Sequence, residues 1–228
     1  MPPKKTFILK LGGSIVSPSK DKINVEYLKK LKELITTYPE YKFMITVGGG
    51  YTCRWYQESL QNNGFEDEMM QHSIGIAACN FNAELVRLVF SEIAHDKVFL
   101  GIGSIHFEEQ VLIGGTWTPG VSSNYDAVEV ATLLGSKDLV NLSNIDYIYD
   151  KDPNKFTDAK KIESITWQEY RVMFNLDKHL PGQHIPIDVI AADLASVHKI
   201  RFLFTDGHDL ENLKNIFDGN KFKGTLIG

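Results

Sequence analysis

Three short apolar runs in this chain end in glycine pairs or triplets, and that repeated pattern restricts the fold more than any other feature. Thr6–Leu11 stops at Gly12-Gly13, residues 43–47 stop at Gly48-Gly49-Gly50, and residues 111–113 stop at Gly114-Gly115. Each run has the length of a strand, and amphipathic segments at helical spacing lie between them. Over residues 24–38, for example, Leu28, Leu31, Leu34, Ile35 and Tyr38 share one helical face. The spacing predicts further helices over 52–61, 67–93, 125–134, 187–197 and 210–217. It predicts further strands at 97–100, 139–142, 200–204 and 225–227. Alternating strands and helices imply an α/β chain with a mainly parallel sheet covered on both faces. Ligands of such sheets sit beyond the carboxyl ends of the strands, so the glycine turns would gather along one functional edge. Two polar stretches, 150–164 and 175–186, are long for simple connections and read as functional or mobile loops.

Composition removes several alternatives. The 228 residues suffice for a large core, and 43% hydrophobic with 23% charged residues excludes wholesale disorder. A net charge of −5 is the wrong sign for a polybasic partner of nucleic acid or membrane. No apolar run approaches the ~18 residues of a membrane span, and Lys10 breaks the first one too early for a signal peptide. Two cysteines, Cys53 and Cys79, exclude a disulfide framework and a four-cysteine zinc site, and point to a reducing cytoplasm. They read as small core or near-site residues rather than nucleophiles. No H-E-x-x-H or G-x-S-x-G occurs.

Four segments carry chemistry. Lys10-Leu11-Gly12-Gly13-Ser14 sets a lysine before a glycine turn, where backbone amides can approach phosphate oxygens and an ammonium can neutralise charge. Taken alone, it fits a tight turn with a snorkelling lysine equally well. Val47-Gly48-Gly49-Gly50 with Arg54 repeats the device, with a guanidinium suited to a bidentate grip on phosphate. Two glycine turns with one cation each favour phosphoryl transfer, which needs a donor cradle and an acceptor cradle. The segment 144–153, Asn-Ile-Asp-Tyr-Ile-Tyr-Asp-Lys-Asp-Pro, follows a strand, though by composition alone it is a solvated acidic loop. In Pro186-Ile187-Asp188-Val189, an aspartate opens a helix as a cap would.

In order, these pieces resemble the amino acid kinase family, and within it the short uridylate kinases of archaeal type. The resemblance rests on KLGGS (10–14), VGGG with Arg54, IGIAA with Asn82, TPG-x-SS-x-x-DA (118–127), NLSNIDYIYDKDP (141–153), PG (181–182), PID-x-IAA (186–192), DG-x-DLENL (206–213) and GTLI (224–227). It implies a three-layer α/β/α sandwich with about eight strands, forming a single domain over 1–228. An acceptor-binding half would span about 1–120 and an ATP-binding half about 121–228. It implies transfer of the ATP γ-phosphoryl group to UMP, with ATP and Mg²⁺ as cofactors and no protein-held metal. Lys10 and Asp188 would be catalytic. Gly12, Gly13, Ser14, Asn144, Tyr149 and Asp152 would bind ATP, and Gly49, Gly50, Arg54, His72, Ser123 and Asn124 the acceptor. Family members that phosphorylate carboxylates carry a lysine where Asp188 aligns, so the aspartate points to a phosphate acceptor. The partners implied are small nucleotides and further copies of the chain, as a dimer unit or a hexamer of three dimers.

The chain departs from the uridylate kinase pattern mainly on the acceptor side. His72 replaces an aspartate, Cys79 a threonine, and Ser122-Ser123-Asn124 a Ser-Thr-Asp triplet. Tyr51 stands for a lysine, Cys53 for an alanine and Asp193 for a lysine. Three functions therefore stay open on sequence: a UMP kinase, a kinase of the same fold for another phosphomonoester, and a nucleotide-binding sensor or scaffold without turnover.

Overall fold

A computed structural model describes residues 5–101, 103–176 and 185–228. Strand β1 (Thr6–Leu11) turns at Gly12 into α1 (Gly13–Val16), and α2 (Val25–Thr36) leads to β2 (Lys42–Val47). Helices α3 (Gly50–Gln61) and α4 (Glu68–Val89) precede β3 (Val111–Gly114), and α5 (Ser123–Leu133) precedes β4 (Asp138–Ser143). Three two-residue strands follow: β5 (Ile148–Tyr149), β6 (Lys161–Ile162) and β7 (Ser164–Ile165). The chain ends with α6 (Trp167–Met173), α7 (Val189–His198), β8 (Arg201–Asp206), α8 (Leu210–Phe217) and β9 (Thr225–Ile227).

The central sheet has seven strands in the order β3-β2-β1-β4-β8-β9-β7, while β5 and β6 form a separate antiparallel pair. Strands β3, β2, β1, β4 and β8 run parallel, while β9 turns back against β8 and β7 runs parallel to β9. The period-2 alternation of a strand sorts side chains to two layers. Phe7, Leu9 and Leu11 pack with Phe43, Ile45 and Val47 beneath α2, α4 and α8. Ile8, Met44 and Leu112 face the other way, under Ala127 and Ala131 of α5 and Ala191 and Ala195 of α7. Each fully buried leucine or phenylalanine here contributes roughly 1.5–3 kcal/mol. Lys10 follows Ile8 by two residues and so belongs to the α5/α7 face.

The seven-stranded sheet agrees with the expectation of about eight strands in an α/β/α sandwich. Two expectations need amendment. Residues 97–100 are not a strand: Phe99 alone bridges Gly114, and the backbone then turns away at Gly101, whose φ is +76°. The stretch 150–164 is an ordered excursion closed at its base, where Asp150 N–H donates to the Lys160 carbonyl at 3.1 Å. Helix α6 has no sequence-level forecast, although Thr166 and Glu169 form a reciprocal capping box at its start. Most of the 175–186 stretch, including Pro181-Gly182, lies outside the described residues.

Candidate functional site

The glycine turns after β1, β2 and β3 stand side by side, because those strands are parallel neighbours. Lys10 pairs in register with Thr46 on one side and Asn141 on the other. Its side chain is half-buried. Burial pulls its ammonium below the ordinary lysine value, and the neighbouring Cys79 and Asp188 push the other way. The turns themselves interlock. A Cβ on Gly12 would stand 2.7 Å from the Leu142 carbonyl oxygen, and one on Gly13 would stand 2.5 Å from the Gly48 carbonyl carbon. No side chain fits there, so the β1 and β2 turns meet as bare backbone.

Neighbouring helices hold these turns. Asn82, buried on α4, donates through Nδ2 to the Gly48 carbonyl at 3.0 Å and the Gly49 carbonyl at 2.9 Å. Two residues earlier on α4, Asn80 Oδ1 accepts from the Thr116 amide at 2.8 Å and fixes the chain after β3. Tyr51 N–H donates to the Ser17 carbonyl at 2.8 Å, tying α3 to the end of α1.

A cavity of about 240 Å³ opens beside the β2 turn. Gly49, Gly50, Arg54, His72 and Ser123 line it, as do Cys53, Gln57 and Cys79. A second cavity, of about 470 Å³, lies beyond β4 and is lined by Asn144, Tyr149, Asp152, Phe174 and Pro186. Gly49, Gly50, Arg54, His72 and Ser123 of the expected acceptor set thus line the first cavity and Asn144, Tyr149 and Asp152 of the donor set the second, whereas Gly12, Gly13, Ser14 and Asn124 line neither. Asn124 lies behind the first cavity: its Oδ1 accepts from Asn141 Nδ2 at 3.4 Å and its Nδ2 donates to the Pro186 carbonyl at 3.4 Å. Ser14 is half-buried in α1 and lines neither cavity.

Asp188 stands between the cavities. It is the N-cap of α7, with Oδ1 accepting from the Ala191 amide at 3.1 Å. Its Oδ2 accepts from the hydroxyl of Ser122, itself the N-cap of α5 and a lining residue of the first cavity. Two caps are therefore joined, and the joint lies close enough to Lys10 for the carboxylate to act on its charge. Sequence gave no sign of this Ser122–Asp188 bond, which is purely tertiary. It did offer one signal for Ser122, a serine one residue before an apolar helical pattern.

Beside the second cavity Tyr149, which lines it, donates its hydroxyl to Asp146 Oδ1 at 2.8 Å, and Lys161 Nζ donates to Asp146 Oδ2 at 2.7 Å. Asp152 Oδ1 accepts from the Asn154 amide at 2.9 Å and stabilises the turn that carries it. No group of three or more His, Cys, Asp or Glu side chains converges on a metal position among the described residues. Among them, too, no helix is long and apolar enough to cross a membrane.

Residues 5–206 match the amino acid kinase family. The chain belongs to that family. Within amino acid kinases it is similar to a uridylate kinase of Ignicoccus hospitalis, 33% identical over 98% of this chain and 99% of that protein. A uridylate kinase of Thermoplasma volcanium is 28% identical over 98% of this chain and 97% of its own length. The crystal structure of uridylate kinase from Archaeoglobus fulgidus superimposes with a TM-score of 0.77 at 25% identity, covering 98% of this chain and 100% of that one.

Proposed function

We propose that the chain is a uridylate kinase, transferring the γ-phosphoryl group of ATP to UMP to give ADP and UDP. The observation that carries this is the Ser122–Asp188 bond, which joins a lining residue of the first cavity to the helix start that follows Pro186 of the second, with Lys10 close enough to feel the carboxylate. Full-length similarity to archaeal uridylate kinases supports it. In this reading the first cavity takes UMP and the second takes the adenosine of ATP. The acceptor half reaches slightly past residue 120, since Ser122 and Ser123 border the first cavity.

A UMP phosphate has its second pKa near about 6 and is a ready nucleophile at neutral pH, so no general base is needed. Arg54 and the Gly49-Gly50 turn hold that phosphate in line with the γ-phosphorus. Lys10, with the Gly12-Gly13 turn, neutralises charge on the transferring group. Asp188 orients the Lys10 ammonium while its bond to Ser122 holds the two substrate walls together. Positioning and charge neutralisation of this kind account for most of phosphoryl-transfer catalysis. Mg²⁺ bound to the ATP phosphates would supply further neutralisation. The Asp188 carboxylate, near Lys10, would offer such a substrate-held ion an oxygen donor of the kind Mg²⁺ prefers.

A second reading keeps the reaction and changes the acceptor, because His72, Cys53 and Cys79 all border the first cavity. ADP release measured with UMP, CMP, dUMP, AMP and isopentenyl phosphate decides between them. UMP preference supports the first reading, another preferred acceptor supports the second, and no ADP with any acceptor defeats both.

The functional unit in this reading is a homodimer in the cytoplasm. Helices α3 and α4 present Trp55, Tyr56, Met69, Met70 and Phe81 to solvent, Phe81 at 72% exposure, and a second copy would cover them. Light scattering of the purified chain measures that assembly.

A further inference from the structure

Two departures from the uridylate kinase pattern that are far apart in sequence come together in space. Cys53 lies in the first turns of α3 and Cys79 in the middle of α4, and both are free thiols. The position a Cβ would take on Gly49 lies 3.2 Å from Cys53 Sγ and 3.1 Å from Cys79 Sγ. Both sulfurs therefore touch one point. Cys53 Sγ is also 3.4 Å from the equivalent position on Gly75, one helical turn before Cys79 on α4. Gly49 and Gly75 put no side chain into the space that Cys53 Sγ borders, and at Gly49 Cys79 Sγ borders the same space. Both cysteines border the cavity of about 240 Å³ that also holds Arg54, so a small oxidant can reach them.

We propose that Cys53 and Cys79 form a reversible disulfide on reaction with a hydroperoxide, and that this bond closes the acceptor cavity. The first sulfur, as thiolate, attacks the terminal oxygen of the hydroperoxide. The O–O bond breaks, an alcohol (or water, from hydrogen peroxide) leaves, and a sulfenic acid remains. The second sulfur attacks that sulfenic sulfur, the S–O bond breaks, water leaves and the S–S bond forms. Two electrons pass from the thiol pair to the peroxide, and the two thiol protons end on the alcohol and the water.

The environments assign the order. Cys53 is half-buried; burial raises its thiol pKa and the adjacent Arg54 opposes that rise. Burial pushes the Cys79 thiol up to about 11. Cys53 therefore supplies the thiolate and Cys79 resolves the intermediate. Because burial holds both thiols protonated near neutrality, the reaction quickens as pH rises from 7 to 9. The bond would lock the start of α3 to α4 across Gly49, the residue whose carbonyl Asn82 holds, and would shift Arg54 next to Cys53. Neither change touches the cavity around Tyr149.

The bond is read independently of turnover, whereas its effect on the acceptor rests on the kinase reading. The full chain is reduced, desalted, treated with hydrogen peroxide at pH 8 and analysed by thiol titration and intact mass. The expected result is loss of both thiols, a mass lower by two hydrogens, and one peptide pair linking Cys53 to Cys79. Parallel assays with limiting UMP and saturating ATP should show at least about a tenfold loss of kcat/KM for UMP, restored by dithiothreitol. Cys53→Ser and Cys79→Ser proteins, each compared with its own reduced form, should show no dithiothreitol-reversible loss. Retention of both thiols, oxygen adducts without a cross-link, or a cross-link only between chains would overturn the bond. A cross-link that leaves the UMP constants unchanged would overturn the closure. A reduced protein that releases no ADP counts against the kinase reading alone, because the mass still reads the bond.

Discussion

Gly13 and Gly50 are packed backbone against backbone: a Cβ on Gly13 would stand 2.1 Å from the Gly50 amide nitrogen, and a Cβ on Gly50 would stand 2.1 Å from the Gly13 carbonyl oxygen. Gly50 also has φ of +60°, a conformation that disfavours any side chain. The proposed donor and acceptor turns are thus held in register by direct contact. A methyl group at Gly13 must push them apart, and a displacement of about 1 Å between reacting groups costs on the order of a hundredfold in rate. Gly13→Ala should therefore lower kcat/KM for UMP about a hundredfold in a protein that still folds. Gly135→Ala is the contrast. Its Cβ meets open space at φ of +65°, so it should cost about 1 kcal/mol of stability and leave the kinetics unchanged. Equal kinetic losses in the two variants would show that the Gly13 contact has no special role.

Lys10 is proposed to neutralise the transferring phosphoryl group, and the nearby Asp188 carboxylate favours its charged form against burial. Lys10→Ala should lower kcat at least about a hundredfold, the scale of losing one transition-state donor. The ATP dissociation constant should move much less, because the ground state has other contacts. Single-turnover kinetics with calorimetry for ATP separates the two. A folded Lys10→Ala protein with near-normal kcat would remove Lys10 from the reaction.

Arg54 is exposed on α3 beside the first cavity, with its guanidinium 6.0 Å from the Tyr51 ring centroid. If it grips the acceptor phosphate, Arg54→Ala should weaken UMP binding by about 1.5–3 kcal/mol, the worth of a hydrogen bond to a charged group. The ATP constant should hardly change. Titration in which the ATP constant shifts more than the UMP constant would mean that the two cavities are assigned in reverse.

Much of this arrangement is legible in the chain because local patterns and tertiary needs agree. Alternation through Phe7, Ile8, Leu9 and Lys10 gives both the strand and the face on which Lys10 emerges. Asp188 reads as a helix-opening residue and is one. What escapes notice depends on tertiary geometry. Asn124 aligns with a carboxylate of the acceptor pocket, yet it sits on the buried side of α5, and Asn141 takes up its side-chain oxygen. His72, by contrast, does face the cavity. Strands β5, β6 and β7 have two residues each, too short for any period to register. Residues 97–100 carry strand-like apolarity, yet their pairing is a single bridge at Phe99, whose ring meets Trp117 edge to face at 5.5 Å.

Asp126 stands in the TPG-x-SS-x-x-DA segment without a role assigned from sequence, and it makes the strongest pH prediction. It is 1% exposed on α5, and its Oδ1 is buried without a hydrogen-bond partner. Burial pushes its carboxyl from 3.8 up to about 7; the Thr118 hydroxyl and the Trp117 and Thr118 amides oppose this, while Glu129 adds to it. Between about pH 4 and pH 7 the folded chain therefore keeps a proton that the unfolded chain has released. Its contribution to stability falls as pH rises through that window, and is level below and above it. Asp126→Asn, a neutral isostere of the protonated acid, should remove that slope. It should match the parent near pH 4 and exceed it at pH 8, by at most about 4 kcal/mol. Urea unfolding of both proteins at pH 4.5, 6 and 8 measures the difference. A gap between parent and mutant that stays constant across the three pH values would mean that the Asp126 carboxyl titrates alike in the folded and unfolded chain, and that its burial is compensated by the Thr118 contacts.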